Sequence, residues 1–564
     1  MASSSSRAPR LHHQQLTTQP ARIFAWKQHL FAAGTQSSSS TPTIPWPASS
    51  IASPPKGRYA KRTLGLVLSQ LIERHSSSLP SVTSLEQAPL IYGRLAEQIA
   101  YSVGALNRHG YGRGDRVVLV LPNGPQLAVA FLGISAGAQC APLNPAYSAQ
   151  EFTFFLKDLE ASVLVTQPGF CPAAEAAARQ LGVPLIALQP SGEFSGLFTL
   201  EGEISRPLSS RSGFSEPEEV ALLLHSSGTT ARPKLIPLTH RNLTVSARQI
   251  HATLALTPAD HSLNVMPLFH VHGLIGALLA TLSAGGSICC TTGFNALRFY
   301  RWLDQVQPTW YTAVPTMHQA ILARVPPTGF RHRLRLIRSS SAHLHTSVWN
   351  ELENVFGCPA LNSYGMTEGA HQIASNPLPP GQRKRGTVGP ATGPTLCILD
   401  PAGNLLPAGR TGEVALRGET ITVGYIAPES ANQMAFTNGW LRTGDLGVQD
   451  DDGYLSLTGR LKEIINCGGE KVSPAEIDTV LMDHPFVSMA LTFPIKCTML
   501  GEKIGAVIVL KIGCAAAEAD LKVYAGERLA RFKVPRKIVF RDDIPKGPTG
   551  KMQRHGMAAR LGLE

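Results

Sequence analysis

Residues 225–240 read HSSGTTARPKLIPLTH, directly after the apolar run VALLL at 220–224. Ser226, Ser227, Thr229 and Thr230 flank Gly228, and Lys234 follows a proline. Hydroxyls and backbone N–H groups are donors, and a glycine without Cβ lets the backbone approach a ligand closely. Lys234 adds a compact positive charge, so the group suits an oligophosphate. The spacing GxxxxGK[ST] is absent here, so this is not a Walker A loop. Taken alone, the stretch also reads as an ordinary Ser/Thr/Gly loop.

The surrounding chain alternates between two kinds of segment. RVVLVLPNG, from Arg116, reads as a buried strand ending in a turn, and AVAFLGISAGA, from Ala128, reads as a helix. ASVLVTQ and VPLIAL are further short strands separated by helical stretches. This alternation predicts an α/β fold with largely parallel sheets. From about Cys397 the pattern changes to TLCILD, GEVALRG and GYLSLTGR, strand-like segments between Gly/Pro turns. From about Lys462, helix-like SPAEIDTVLMDH and strand-like KIGAVIVLKI predict a small α+β unit.

Four more blocks follow the first. SYGMTEG holds Tyr364, Thr367 and Glu368. The aromatic ring can stack on a purine, the hydroxyl can bond a phosphate oxygen and the carboxylate can hold Mg²⁺. GWLRTGDLG contains the lone acid Asp445, able to accept both hydroxyls of a ribose. TGRLKE places Arg460 and Lys462 two residues apart, and PKGPTGKMQR puts Lys551 in a Gly-rich loop near the end of the chain. Each block alone also reads as a surface turn with solvated charges.

In this order and at these separations the five blocks resemble the adenylate-forming (AMP-binding) superfamily, from about residue 61 to the C-terminus. The resemblance implies a large multi-subdomain N-terminal domain over 61–461 and a small, mobile C-terminal α+β domain over 462–564. It implies an enzyme, an AMP-forming acyl-CoA synthetase that uses ATP, Mg²⁺ and CoA. A carboxylate attacks the α-phosphate, pyrophosphate leaves, the small domain rotates and CoA displaces AMP. By the same resemblance, Ser226, Ser227, Gly228, Thr229, Thr230 and Lys234 wrap the pyrophosphate. Tyr364 packs on adenine, Thr367 contacts phosphate and Glu368 positions the metal. Asp445 holds the ribose, Arg460 contacts the nucleotide and Lys462 lies near the hinge. Lys551 bridges carboxylate and α-phosphate, a charge-stabilising contact whose loss costs roughly 3–4 kcal/mol of barrier. CGGEKVSPAE, from Cys467, matches the loop lining the pantetheine tunnel. Ala231 and Leu235 stand where the family often has glycine.

VMPLFHVHGL, PTWYTAVPTMHQAIL, IRSSSAHL, SNPLPPG and INCGGEKVSP resemble the oxalate–CoA ligase branch. There His270 borders the acyl site. His272, His318, Arg338, Ser339 and His371 are candidates to receive a second carboxylate, because an unpaired buried carboxylate is costly. His343 stands where relatives often carry a smaller residue, and so is expected to reshape the pocket. The expected substrate is oxalate or another short acid. The alternatives are a medium-chain or 4-coumarate-type acid, an adenylation domain serving a carrier protein (none follows Glu564), or a non-catalytic nucleotide- or RNA-binding relative.

The net charge is +12, yet eight basic residues precede the first acid, Glu73, leaving about +4 for the remaining chain. A nucleic-acid partner is therefore not expected, since it requires a basic patch on the folded part. Residues 1–60 are rich in Ser, Pro and basic residues and contain no acid, the composition of a transit peptide or of a disordered extension. A mitochondrial or other organellar address is the reading from that segment, and a cytoplasmic one otherwise; no SKL ends the chain. Nine cysteines without a CxxC fit reduced thiols inside the cell and give no zinc motif. No apolar run reaches membrane-spanning length. Nothing in the sequence fixes the oligomeric state.

Overall fold

A computed structural model describes residues 67–203, 206–226, 233–426, 430–547 and 549–563. The extension 1–60 and the loop residues Ser227, Gly228, Thr229, Thr230 and Ala231 lie outside the described residues.

Two large sheets form the N-terminal domain. The first has seven strands in the order Phe198–Glu201, Leu185–Pro190, Val163–Thr166, Arg116–Val120, Gln139–Pro142, Val220–His225, Leu235–Thr239. Its inner pairings are parallel and its two edge pairings antiparallel. Continuous apolar runs such as RVVLV are what a parallel strand covered on both faces requires. Val117 to Val120 are fully buried accordingly. Leu235, which stands where a glycine is common, pairs with His225 and is buried in the core. Its side chain replaces backbone freedom with packing at the end of the hydroxyl-rich segment.

The second sheet has eight strands in the order His371–Ser375, Ala360–Met366, Leu336–Ser339, Trp310–Ala313, His261–Asn264, Ser287–Cys290, Pro80–Thr83, Leu90–Ile91. It too is parallel inside and antiparallel at both edges. Ligands of such sheets bind beyond the carboxyl ends of the strands. Tyr364 lies at that end of Ala360–Met366, and Ser226 directly follows Val220–His225.

A third, antiparallel sheet is built from Thr395–Leu399, Gly412–Arg417, Phe436–Thr437, Trp440–Gln449 and Leu455–Arg460. The small C-terminal domain packs helices Pro474–Met482 and Glu518–Gly526 on a fourth sheet. That sheet holds Ile465–Cys467, Glu470–Val472, Val487–Cys497, Gly501–Leu510 and Lys537–Phe540. The strands and helices expected from RVVLV, TLCILD, GEVALRG, GYLSLTGR, SPAEIDTVLMDH and KIGAVIVLKI are all present. All nine cysteines are free thiols. No helix among the described residues is long and apolar enough to cross a membrane.

Candidate active site

Strand pairing first brings together two of the sequence blocks. Asp445 on Trp440–Gln449 stands opposite Arg460 on Leu455–Arg460. Arg460 Nε donates to Asp445 Oδ1 at 2.7 Å, and Tyr364 Oη donates to Asp445 Oδ2 at 2.5 Å. The Thr443 hydroxyl accepts the Asp445 backbone N–H at 3.1 Å. Both carboxylate oxygens are thus oriented from two sheets, and the aromatic ring is fixed beside them. Arg460 is the exposed member, its side chain 60% accessible against 7% for Asp445.

A second centre lies around Glu368, in the short 3₁₀ turn Thr367–Gly369 after the strand bearing Tyr364. Burial pushes its carboxyl pKa up, while a hydrogen bond from Tyr425 and the charge of Lys234 pull it back. Tyr425 Oη donates to Glu368 Oε1 at 2.9 Å, and Lys234 Nζ lies 4.1 Å from the Tyr425 ring centre. Burial lowers the pKa of Lys234, opposed by Glu368 and assisted by Lys462, whose own side chain is exposed. Ser226 and Lys234, the two ends of the hydroxyl-rich loop, close on each other. The Ser226 N–H donates to the Lys234 carbonyl at 2.8 Å, and the Lys234 N–H to Ser226 Oγ at 3.0 Å.

Lys551 arrives from the small domain. Its loop is folded by the Gly547 N–H donating to the Lys551 carbonyl at 2.7 Å. Burial and Arg460 bring the ammonium down to about 8, with Asp445 and Glu368 opposing. His270 is held neutral, at about 3, by burial and by the charge of Lys551. Lys551 therefore shares one electrostatic neighbourhood with Arg460, Asp445, Glu368 and His270.

The last group is the cluster His272, Arg338, His371 and Gln372. Arg338 sits mid-sheet, fully buried, and no carboxylate pairs with it among the described residues. Its Nη2 donates to Gln372 Oε1 at 3.0 Å and contacts His371 Nδ1 at 3.3 Å. A guanidinium only donates, so His371 Nδ1 accepts and Nε2 carries the proton. That Nε2 and Arg338 Nε and Nη1 are buried without hydrogen-bond partners among the described residues. Desolvation draws the guanidinium down to about 9. His272 is oriented by Thr312 Oγ at 2.7 Å and Ser341 Oγ at 3.1 Å, and its ring meets that of His371 edge-on at 4.9 Å. His272 opens the buried π-helix His272–Leu279. A Cβ on Gly276 would lie 2.7 Å from His371 Nε2, so a side chain there would displace the ring.

Two histidine expectations and one serine expectation part from this cluster. His318 hydrogen-bonds Tyr311 at 3.2 Å and packs on it, against the opposite face of the sheet. His343 is exposed and does not join the buried group. Ser339, next along the strand from Arg338, is buried with its hydroxyl unpartnered, its side chain on the opposite face. Tyr425, Gln372 and Thr312 had no motif of their own; a tyrosine beside Gly424 was the only local signal for the first.

Comparison with known proteins matches residues 72–426 to the family model described as AMP-binding enzyme. The chain belongs to the AMP-binding enzyme family. Residues 476–551 match the AMP-binding enzyme C-terminal domain. The chain is 40% identical to oxalate–CoA ligase of Arabidopsis thaliana over 504 residues, 87% of this chain and 98% of that one. It is 40% identical to oxalate–CoA ligase of Saccharomyces cerevisiae over 476 residues, 79% of this chain and 87% of that one. Among solved structures it resembles ATP-bound MatB from Rhodopseudomonas palustris, at TM-score 0.79 and 28% identity, covering 88% of this chain and 99% of that one. This AMP-binding enzyme is an AMP-forming acid–CoA ligase, with ATP, Mg²⁺ and CoA as its nucleotide, metal and thiol partners.

Proposed function

We propose that the acid is oxalate, and that one observation carries this assignment: a fully buried guanidinium with two unpartnered nitrogens beside an unpartnered imidazole N–H. A buried cation without a counter-ion is costly, and an anion that enters the site relieves it. Lys551 receives the reacting carboxylate, and Arg338 with His371 receives the other. The two oxalate–CoA ligase relatives support the same choice. A bulky aromatic acid is disfavoured because His371 fills the space above Gly276.

In the first half-reaction a carboxylate oxygen bonds to the α-phosphorus as the bond to the β-phosphate bridge breaks, and pyrophosphate leaves. Lys551 offsets the negative charge that builds as the two anions meet. Asp445 takes the ribose hydroxyls, exchanging its bonds to Tyr364 and Arg460, and Tyr364 presents its ring to adenine. Thr367 contacts the phosphate, and Ser226 with Lys234 holds the ends of the pyrophosphate loop. Arg460 and Lys462 add positive charge at the nucleotide edge. Glu368 fits a single-carboxylate Mg²⁺ site, since a buried acid held by one hydroxyl keeps an oxygen free, and Mg²⁺ commonly takes one or two carboxylates plus phosphate oxygens. The metal supplies neutralisation of phosphate charge. Neutral His270 borders the acyl group without adding a competing cation. In the second half-reaction the CoA sulfur bonds to the acyl carbon, AMP leaves and the thiol proton passes to solvent.

The test is pyrophosphate release from ATP and Mg²⁺ with oxalate, malonate, acetate, octanoate or 4-coumarate, each with and without CoA. CoA-dependent turnover is expected with oxalate foremost. Preference for octanoate or 4-coumarate would overturn the dianion assignment.

A further inference from the structure

Lys551 enters the site from a domain that has to move, and its ammonium enters against burial and the charge of Arg460. Something other than the nucleotide must hold its loop. In this structure Thr316 does so. Its Oγ donates to the Gly550 carbonyl at 2.5 Å, across 234 residues of sequence. Thr316 is the second residue of helix Pro315–Leu322, which starts where strand Trp310–Ala313 ends beside the acyl cluster. Gly550 has φ +81°, and a Cβ there would lie 3.0 Å from Val314 Cγ2 and 3.2 Å from Met317 Cε. The glycine is thus clasped between a hydroxyl and two apolar side chains, one residue before the lysine.

Further contacts from this face also reach the small domain. Gln319 Nε2 donates to the Ser488 carbonyl at 3.0 Å. His345 Nε2 approaches the Thr479 carbonyl at 3.2 Å and Asp483 Oδ1 at 3.3 Å. These lie on the body of the domain, whereas among the described residues Thr316 is the large-domain side chain that hydrogen-bonds the lysine loop itself.

We propose that Thr316 is a positioning residue for adenylation: its hydroxyl captures the Gly550 carbonyl and so sets where the neighbouring lysine stands, and release of that bond accompanies the domain rotation. The inference rests on the role assigned to Lys551. Thr316→Val keeps shape and removes the donor; Thr316→Ser keeps the donor. One uncharged hydrogen bond is worth about 1 kcal/mol, or roughly fivefold to tenfold in rate.

The experiment follows both half-reactions on the full chain: single-turnover pyrophosphate release with oxalate, ATP and Mg²⁺, then a CoA chase of the loaded enzyme. Thr316→Val is expected to slow adenylation about fivefold to tenfold, chiefly in kcat, to leave KM for ATP and the CoA step within twofold, and Thr316→Ser to restore the rate. Equal slowing of both steps, or an unchanged adenylation rate, overturns the proposal. Lys551→Ala runs alongside. If it fails to impair adenylation selectively, the lysine assignment falls and takes this inference with it; if it succeeds while Thr316→Val is silent, only the positioning role falls.

Discussion

Replacing Arg338 by Met tests the substrate assignment most directly, because the structure sets opposite signs for activity and stability. Truncating one partner of a buried, hydrogen-bonded charge pair costs about 2–5 kcal/mol. Taking about 3 kcal/mol for the contact to the second carboxylate gives about a 150-fold fall in kcat/KM for oxalate. Stability moves the other way. The guanidinium lies near 9 instead of its ordinary 12.5, so it is still charged at neutral pH and bears the full cost of burial. That cost is roughly 5 kcal/mol, against about 1.5–3 kcal/mol for the lost bond to Gln372. Methionine fills similar volume without charge, so the melting temperature is expected not to fall. The assay is pyrophosphate release with oxalate and with acetate, beside ATP binding and a thermal melt. Oxalate efficiency drops about two orders of magnitude, while ATP affinity and any acetate turnover stay within threefold. Loss of oxalate and acetate turnover in equal measure, or a folded variant with unchanged oxalate kinetics, would refute the reasoning.

Two titrations follow from the same site. The ammonium of Lys551 gives up its proton near pH 8 in the ligand-free chain, so kcat/KM is expected to fall as pH rises through about 8, and Lys551→Arg to remove that limb; phosphate charge moves the limb in kcat to higher pH. Tyr425→Phe removes the hydrogen bond that favours ionised Glu368, whose carboxyl burial has already raised, so the acidic limb of the rate profile moves upward and more Mg²⁺ is needed at pH 6 than at pH 8.

The fold was legible because its strands are short apolar runs set off by Gly and Pro, and a strand covered on both faces tolerates little else. The convergence of the proposed nucleotide side was legible because charged and hydroxyl residues stand out in glycine-rich turns: Tyr364, Asp445, Arg460 and Lys551 do converge electrostatically or by hydrogen bonds. The acyl side was only half legible. Arg338, His272 and His371 come together, but His318 has the same appearance in sequence and sits on helix Pro315–Leu322, which packs on the other face of the sheet and brings it to Tyr311. Whether a polar residue reaches the pocket is decided by which face of the strand or helix carries it, and by glycine at a facing position such as Gly276. Thr316 and Tyr425 were hidden for another reason: each is one common residue whose partner lies 234 and 57 positions away.

On the proposed assignment, the two cations of the site explain how a small acid is selected by a fold that serves many. Lys551 and Arg338 are each displaced downward by burial, so the unliganded pocket is held ready for negative charge that it does not itself contain. A dianion relieves both, and the relief at Lys551 grows as the carboxylate approaches the α-phosphate, which favours the transition state over the bound ground state. A monocarboxylate relieves only Lys551 and leaves the nitrogens of Arg338 and His371 as they are, buried and unpaired. A site built around such donors rejects the analogue that lacks their acceptor far more strongly than an apolar pocket rejects a missing methylene. Specificity on this assignment resides in what the wrong acid fails to satisfy, and a side chain at position 276 would disturb it by displacing the His371 ring.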